Sequence, residues 1–327
     1  MNIKKKFETP ILLIVWKRPE KTLRIIKEIQ KIKPNDFYIA CDGYPENNIL
    51  LEQKVKQTRK VILENINWNC NIKKLFAENN QGCKEGVSNA ISWFFENVNE
   101  GIILEDDCLP HQDFFYFCSE LLHKYRNDDR IWSITGNKKH NLNIEGKSYF
   151  FSKYSNCWGW ATWRRCWTKY DKDIKNWPIE KSEGIINQIF EDKNEQRFWK
   201  QTLDNIYYHM KPNTWDYQWN YTCFIYSGLT IIPSHNLINN IGFDQEATHT
   251  KFEKPIKELE SYERYSSGVF PLKHPNYIYD MKNIDKYTDA ICYSGGKIFS
   301  KLWFQVILIK FRIKAKIITS KLKRKLS

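Results

Sequence analysis

Nowhere in its 327 residues does the chain hold a run of about 18 uncharged apolar residues, so no membrane-spanning helix is expected. Its nine cysteines, an odd number, include no CxxC pair. That argues against a zinc knuckle or a disulfide framework and for a reduced compartment, where free Cys behaves as a small hydrophobe. The charged start MNIKKKFETP reaches Pro10 without an apolar h-region, so a secretory leader is not expected. No internal repeat is found. From Lys297 to Ser327 there is no Asp or Glu at all. That stretch holds eight Lys and two Arg and so supplies +10 of the formal +13, leaving about +3 for the rest. A basic nucleic-acid face across the whole protein is therefore not indicated.

Apolar residues make up 42% of the chain and aromatics 15%, with 13 Trp, which excludes disorder over most of the length. The length suits one large α/β domain or two smaller ones. ILLIV at 11–15 reads as a strand covered on both faces. Pro19 opens a helix with Leu23, Ile26, Ile29 and Ile32 at helical spacing, and Pro34 closes it. FYIAC at 37–41 reads as the next strand and 50–65 as a polar helix. Strand 72–76, helix 86–97 and strand 101–104 follow. Beyond them come an aromatic helix at 114–125, a strand at 131–135, a mainly helical stretch at 181–226 and a short strand at 229–232. The region 236–296 reads as loop-rich, with GFD, SSG and SGG turns. This alternation predicts a mostly parallel sheet flanked by helices.

In such sheets ligands lie beyond the carboxyl ends of the strands. Arg18, Asp42 and three consecutive acids all fall just past predicted strand ends. The acids, Glu105, Asp106 and Asp107, stand in GIILEDDCLP at 101–110. Adjacent carboxylates repel and are costly to bury unpaired. A hard divalent cation, Mn²⁺ or Mg²⁺, makes them favourable neighbours and leaves positions open for phosphate oxygens. The substrate so implied is a nucleoside diphosphate compound whose leaving charge the metal stabilises.

Several segments together resemble one family. EDDCLPHQDFFYFCSELL resembles the acidic metal-binding motif of GT-A glycosyltransferases, especially the N-acetylglucosaminyltransferase I type and related bacterial glycan-assembly transferases. In the same order, PILLIVWKRP resembles that family's first strand and FYIACDG its second. SNCWGWATWRRCW resembles its G-x-G-W segment, NTWDYQW its W-D-D-W, and NNIGFDQEATHT its closing loop; together they span roughly residues 10–250. The resemblance implies a Rossmann-like nucleotide-diphospho-sugar transferase fold, with a nucleotide half at about 1–110 and an acceptor half at about 111–270. It assigns Asp107 to the metal, Asp106 to the ribose, Glu105 to the donor sugar and Asp42 to the uracil N–H. Arg18 would lie near the base or phosphates. Asp216 would be the general base, with Trp215 packed on the sugar, and His249 would reach the metal or pyrophosphate. Asn89, with Asn79 and Gly82, lies where such enzymes approach the nucleotide, and Trp160, with Trp158 and Gly159, where a sugar platform would sit.

This sequence departs from that pattern in two places. Tyr217 stands where the family has a second acid, and a helical insertion at about 175–212 lengthens the approach to Asp216. Asp244 and Glu246 compete with Asp216 for the role of base. An Asp-Gly turn is the alternative for Asp42, a helix cap for Asp216, core packing for Trp160, and a hydrogen-bonded loop histidine for His249.

Residues 271–296 read as a linker. In 297–327, Phe299, Leu302, Trp303, Val306, Ile309, Ile313 and Ile317 fall near helical spacing with Lys and Arg between them. A basic amphipathic helix suits an anionic membrane surface. The expectation is therefore a cytoplasmic enzyme, peripheral to the inner membrane, with no nucleic-acid partner. It moves a sugar, with inversion, from a nucleotide-sugar donor, UDP-linked, to a glycan or lipid-linked acceptor of a bacterial surface polysaccharide. A sugar nucleotidyltransferase and a non-catalytic glycan- or membrane-binding protein on a transferase scaffold stand as the alternatives.

Overall fold

The structure is a computed structural model, and it describes residues 6–139, 146–242 and 269–293. Strand β1 (Ile11–Val15) is buried along its whole length, as its unbroken apolar run requires. Helix α1 (Pro19–Ile32) follows with Pro19 in its first turn, and buries Thr22, Ile25, Ile26, Ile29 and Ile32 against the sheet. Then come β2 (Asp36–Cys41), α2 (Ile49–Asn65), β3 (Asn71–Phe76), α3 (Gly82–Asn97) and β4 (Glu100–Glu105). These are the alternating strands and helices that a parallel sheet needs.

The eight-stranded sheet has the order β3-β2-β1-β4-β8-β6-β9-β7, where β6 is Ile131–Thr135, β7 Tyr149–Ser152, β8 Trp160–Trp163 and β9 Leu229–Pro233. β1, β2, β3 and β4 pair in parallel; β8 runs antiparallel to both β4 and β6, and β9 is parallel to β6. Six strands therefore share one direction, and β8 and β7 oppose them. The strand order reverses between β1 and β4, which opens a crevice at their carboxyl ends.

The acids occupy the turn between β4 and a short strand, β5 (Cys108–Pro110). β5 pairs antiparallel with β10 (Ile238–Asn240), so Pro110 ends β5 and does not prevent it. Helix α4 (Gln112–Tyr125) then packs its Phe114, Phe115 and Phe117 into the main core. The inserted segment forms three elements, α6 (Trp177–Ser182), α7 (Ile185–Ile189) and α8 (Lys193–His209), preceded by the single turn α5 (Arg164–Trp167) and followed by α9 (Asp216–Ile225). They enclose a second core around Tyr154, Trp177, Phe190 and Trp199.

The loop-rich reading of 236–296 is corrected at both ends. β10 lies at 238–240, and helix α10 (Lys282–Cys292) covers the β7 edge through Ile284 and Phe150. Gly268 and Gly295-Gly296 stand on either side of the helix in the sequence and mask its apolar spacing. No helix among the described residues is long and apolar enough to cross a membrane. The basic segment 297–327 and residues 243–250 of the closing-loop segment, which include Asp244, Glu246 and His249, lie outside the described residues.

Candidate active site

One cleft of about 1050 Å³ opens at the carboxyl edge of the sheet. Val15, Cys41 and Ala77 line it from the ends of β1, β2 and β3, and Glu105, Asp106 and Asp107 from the end of β4. Asn89 lies on α3, while Trp215 and Asp216 stand at the start of α9. Residues separated by up to 200 positions thus meet along one edge.

Arg18 is not free to reach a ligand at full extension. Its Nη1 donates to Asp106 Oδ1 at 2.8 Å and lies 3.3 Å from Asp107 Oδ2. Asp106 Oδ2 also accepts from the Trp16 backbone N–H at 3.2 Å. Arg18 and Asp106 are 8% and 7% exposed, so this pair forms the floor of the cleft. Its effect is to neutralise one of the three acids and to orient the turn that carries the other two.

Glu105 is different. Among the described residues its carboxylate has no hydrogen-bond or ion-pair partner. Burial, then the charges of Asp107, Asp106 and Asp216, push its carboxyl well above the usual carboxylate range, with Arg18 opposing. Asp107 is held from behind: its carbonyl accepts from the Ile241 N–H at 2.8 Å, and Gly242 packs against its side chain. A Cβ on Gly242 would lie 2.6 Å from Asp107 Oδ2.

Asp42 uses both oxygens locally. Oδ1 accepts from the backbone N–H of Gly43 and Gln81 at 2.7 and 2.8 Å. Oδ2 accepts from Gly82 N–H and Asn80 Nδ2, each at 3.0 Å. It thereby caps the N-terminus of α3 across some 40 residues and fixes the wall of the cleft between β2 and α3. Asn89 is exposed on that wall, with its Nδ2 3.3 Å from Gln81 Oε1.

Asp216 is the first residue of α9 and does not cap it. Its Oδ1 accepts from the Thr214 hydroxyl. The segment before it is tied to the opposite wall, because Asn213 Oδ1 accepts from Lys84 N–H on α3 at 3.2 Å. Tyr217, next to Asp216, is raised to about 12 by burial and by that neighbouring charge. Trp215 is almost fully buried but borders the cleft.

Trp160 requires a correction. It is 0% exposed and does not line the cleft. It is the first residue of β8 and stacks on Trp215 at 5.5 Å between ring centroids, with Trp219 5.6 Å away. β8 is buried on both faces, so Trp160 is enclosed in the core, whereas Trp158, before the strand begins, reaches the cleft.

Sequence reasoning passed over Lys139 and Tyr293, which also line this cleft. Lys139 had a usable signal, since it follows β6, a strand parallel to β1 and β4 whose carboxyl end shares their edge. Tyr293 had none, because it reaches the cleft only through α10, which packs at the β7 edge. Among the described residues no three His, Cys, Asp or Glu side chains are already arranged around a common metal position.

No family model matches the chain, and no curated protein matches it in sequence. Solved structures show distant similarity. One is a cytidylyltransferase from Leptospira borgpetersenii serovar Hardjo-bovis, 14% identical over 58% of this chain and 73% of that one, with a TM-score of 0.34. Another is the mannosyltransferase PcManGT from Pyrobaculum calidifontis in complex with GDP-Man and Mn²⁺, 12% identical over 51% and 49%, TM-score 0.35. A third is a UDP-glucose pyrophosphorylase complexed with UDP-glucose, 8% identical over 49% and 78%, TM-score 0.30. The likeness is one of partial fold and carries no argument about activity.

Proposed function

We propose that the chain is a GT-A type, metal-dependent glycosyltransferase. It moves a sugar from a nucleotide-diphosphate donor, UDP-linked, to a hydroxyl of a glycan or lipid-linked acceptor, with inversion. One observation carries this reading: a single cleft joins the acid turn at β4, where Glu105 has no ion-pair partner among the described residues, to Asp216 on α9.

The residues present fit Mn²⁺ or Mg²⁺. All the donors at the turn are carboxylate oxygens, which suit hard cations, and Glu105 lacks any counter-charge of its own. Asp107 would hold the ion, with Glu105 beside it. When bound, the ion offsets the charge that gathers on the leaving diphosphate.

The chain's own residues do the rest. The α3 wall, shaped by Asp42, receives the nucleotide, with Asn89 at its rim. Asp216 accepts the proton of the acceptor hydroxyl as that oxygen bonds to the anomeric carbon. The bond from that carbon to the diphosphate breaks, and the diphosphate leaves with the electron pair. Thr214 holds the carboxylate of Asp216 toward this task. Trp158, rather than Trp160, offers the aromatic surface for a sugar. His249 is assigned to the diphosphate from the closing loop, and the basic segment 297–327 to an anionic membrane surface.

The test is a thermal-shift panel of UDP-, GDP-, CMP- and dTDP-sugars with and without Mn²⁺, followed by product analysis. A shift that needs both the metal and one nucleotide sugar, and that disappears in Asp107→Asn, is expected. Sugar transfer with release of UDP supports the reading. Release of pyrophosphate from a nucleoside triphosphate and a sugar phosphate would replace it with a nucleotidyltransferase. No metal-dependent shift with any donor would leave a binding protein.

A further inference from the structure

Lys139 is half-buried at the carboxyl edge of β6 and lines the cleft. The Tyr293 ring beside it lies 6.4 Å from that of Tyr217, the residue next to Asp216 on α9, which places Lys139 on the side of the cleft where Asp216 stands. The Lys139 ammonium sits 5.3 Å from the centroid of the Trp158 ring and 5.7 Å from that of Tyr293. Both distances are within cation–π range. Among the described residues no carboxylate is within ion-pair distance of it. The other cation in the described lining, Arg18, is already committed to Asp106 and Asp107.

Tyr293 is set in place by several contacts. Its ring stacks on Tyr154 with centroids 5.0 Å apart and 16° between planes. The helix that delivers it, α10, is anchored where Asp285 accepts from the Ser152 hydroxyl and the Lys153 N–H. The result is a cation held by two aromatic faces, on the side of the cleft where the proposed base stands.

We propose that Lys139, Trp158 and Tyr293 form an acceptor subsite for a sugar that carries an anionic group, a carboxylate or a phosphate. This deepens the glycosyltransferase reading and rests on it. Four acids, Glu105, Asp106, Asp107 and Asp216, line the same cleft. A negatively charged acceptor is repelled by them everywhere except beside a local cation. Lys139 supplies that one position, and the aromatic rings suit the C–H face of the sugar ring. A neutral sugar would leave the ammonium without a partner, so the charge selects among acceptors by a difference in affinity.

The experiment titrates the full chain, without nucleotide, with glucose, glucuronate and glucose 6-phosphate by calorimetry. At least one of the two anionic sugars is expected to bind about threefold to fivefold more tightly than glucose, as one screened charge pair provides. The tighter of the two identifies the source of the charge. Lys139→Met is expected to bring that sugar down to the level of glucose, and Lys139→Arg to retain the preference. Equal binding of all three sugars by the wild type overturns the proposal, as does a preference that survives in Lys139→Met. A fall in UDP–Mn²⁺ affinity in Lys139→Met with sugar preference unchanged also overturns it, by moving Lys139 to the diphosphate. Failure of the donor reading is seen separately, as absence of any metal-dependent nucleotide binding by the wild type.

Discussion

Arg18 Nη1 lies 2.8 Å from Asp106 Oδ1, joining the end of β1 to the end of β4 across 88 positions of sequence. The two strands are hydrogen-bonded neighbours at the point where the strand order reverses. The ion pair therefore sits at the floor of the crevice and sets the direction in which Glu105 and Asp107 leave the sheet. A buried pair of this kind contributes more to geometry than to net stability.

Arg18→Gln tests that role. It leaves Asp106 buried without its counter-charge, a change expected to cost roughly 3–5 kcal/mol. A lower denaturation midpoint and weaker metal-dependent nucleotide binding should appear together. Arg18→Gln combined with Asp106→Asn should recover much of the stability without restoring binding. Stability unchanged in the single variant would show that the pair is not needed at the floor.

Asp216→Asn removes the proposed proton acceptor while keeping the shape and the Thr214 contact. Sugar transfer is expected to slow by about 10²–10⁴-fold in kcat. The affinity for UDP–Mn²⁺ should change little, as read by calorimetry. A kcat near that of the wild type would transfer the role to another acid.

Gly242→Ala places a methyl group 2.6 Å from Asp107 Oδ2 and 2.9 Å from its Cβ. Asp107 must then swing away from the metal position. Mn²⁺-dependent donor binding is expected to weaken about tenfold or more, with the global melting temperature nearly unchanged. A variant with unaltered Mn²⁺ dependence would show that the orientation of Asp107 does not matter.

Trp160→Ala and Trp158→Ala should part company. Trp160 is enclosed between Trp215 and Trp219, so its loss is expected to cost roughly 3–5 kcal/mol of stability. Trp158 borders the cleft, and its loss should weaken sugar binding with a far smaller effect on unfolding. The pair of denaturant midpoints and binding curves checks both statements.

Asp285 provides a pH dependence. Burial raises its carboxyl to about 6, although Ser152, the Lys153 N–H and the Lys153 charge oppose this and Asp280 adds to it. The folded value lies above the unfolded value of about 3.9, so the native state holds more protons between them. Its contribution to stability is full below about pH 4 and is lost as pH rises to about 6, on the order of 2–3 kcal/mol. Asp285→Asn should flatten this part of the curve relative to the wild type, as measured by denaturant midpoints from pH 4 to pH 7. An identical slope in both proteins would remove Asp285 from the account.

The α/β class, the strands from β1 to β4 and the gathering of Arg18, Asp42 and the acids at one edge were all legible in the residues. Each depends on a local pattern: an unbroken apolar run makes a strand buried on both faces, and the carboxyl ends of parallel strands share one edge. Asp216 met the same cleft because a Trp-Asp pair opened a helix where the sequence placed one. Other features had no local signal. Whether Trp158 or Trp160 faces the cleft depends on where β8 begins: Trp160 belongs to a strand buried on both faces, and Trp158 stands before it. That Asp42 caps α3, that Arg18 turns inward to Asp106, and that Tyr293 returns beside Lys139 are contacts between distant segments. Sequence periodicity reports the environment of one element, whereas these partners are selected only when the packed sheet and helices bring their side chains together.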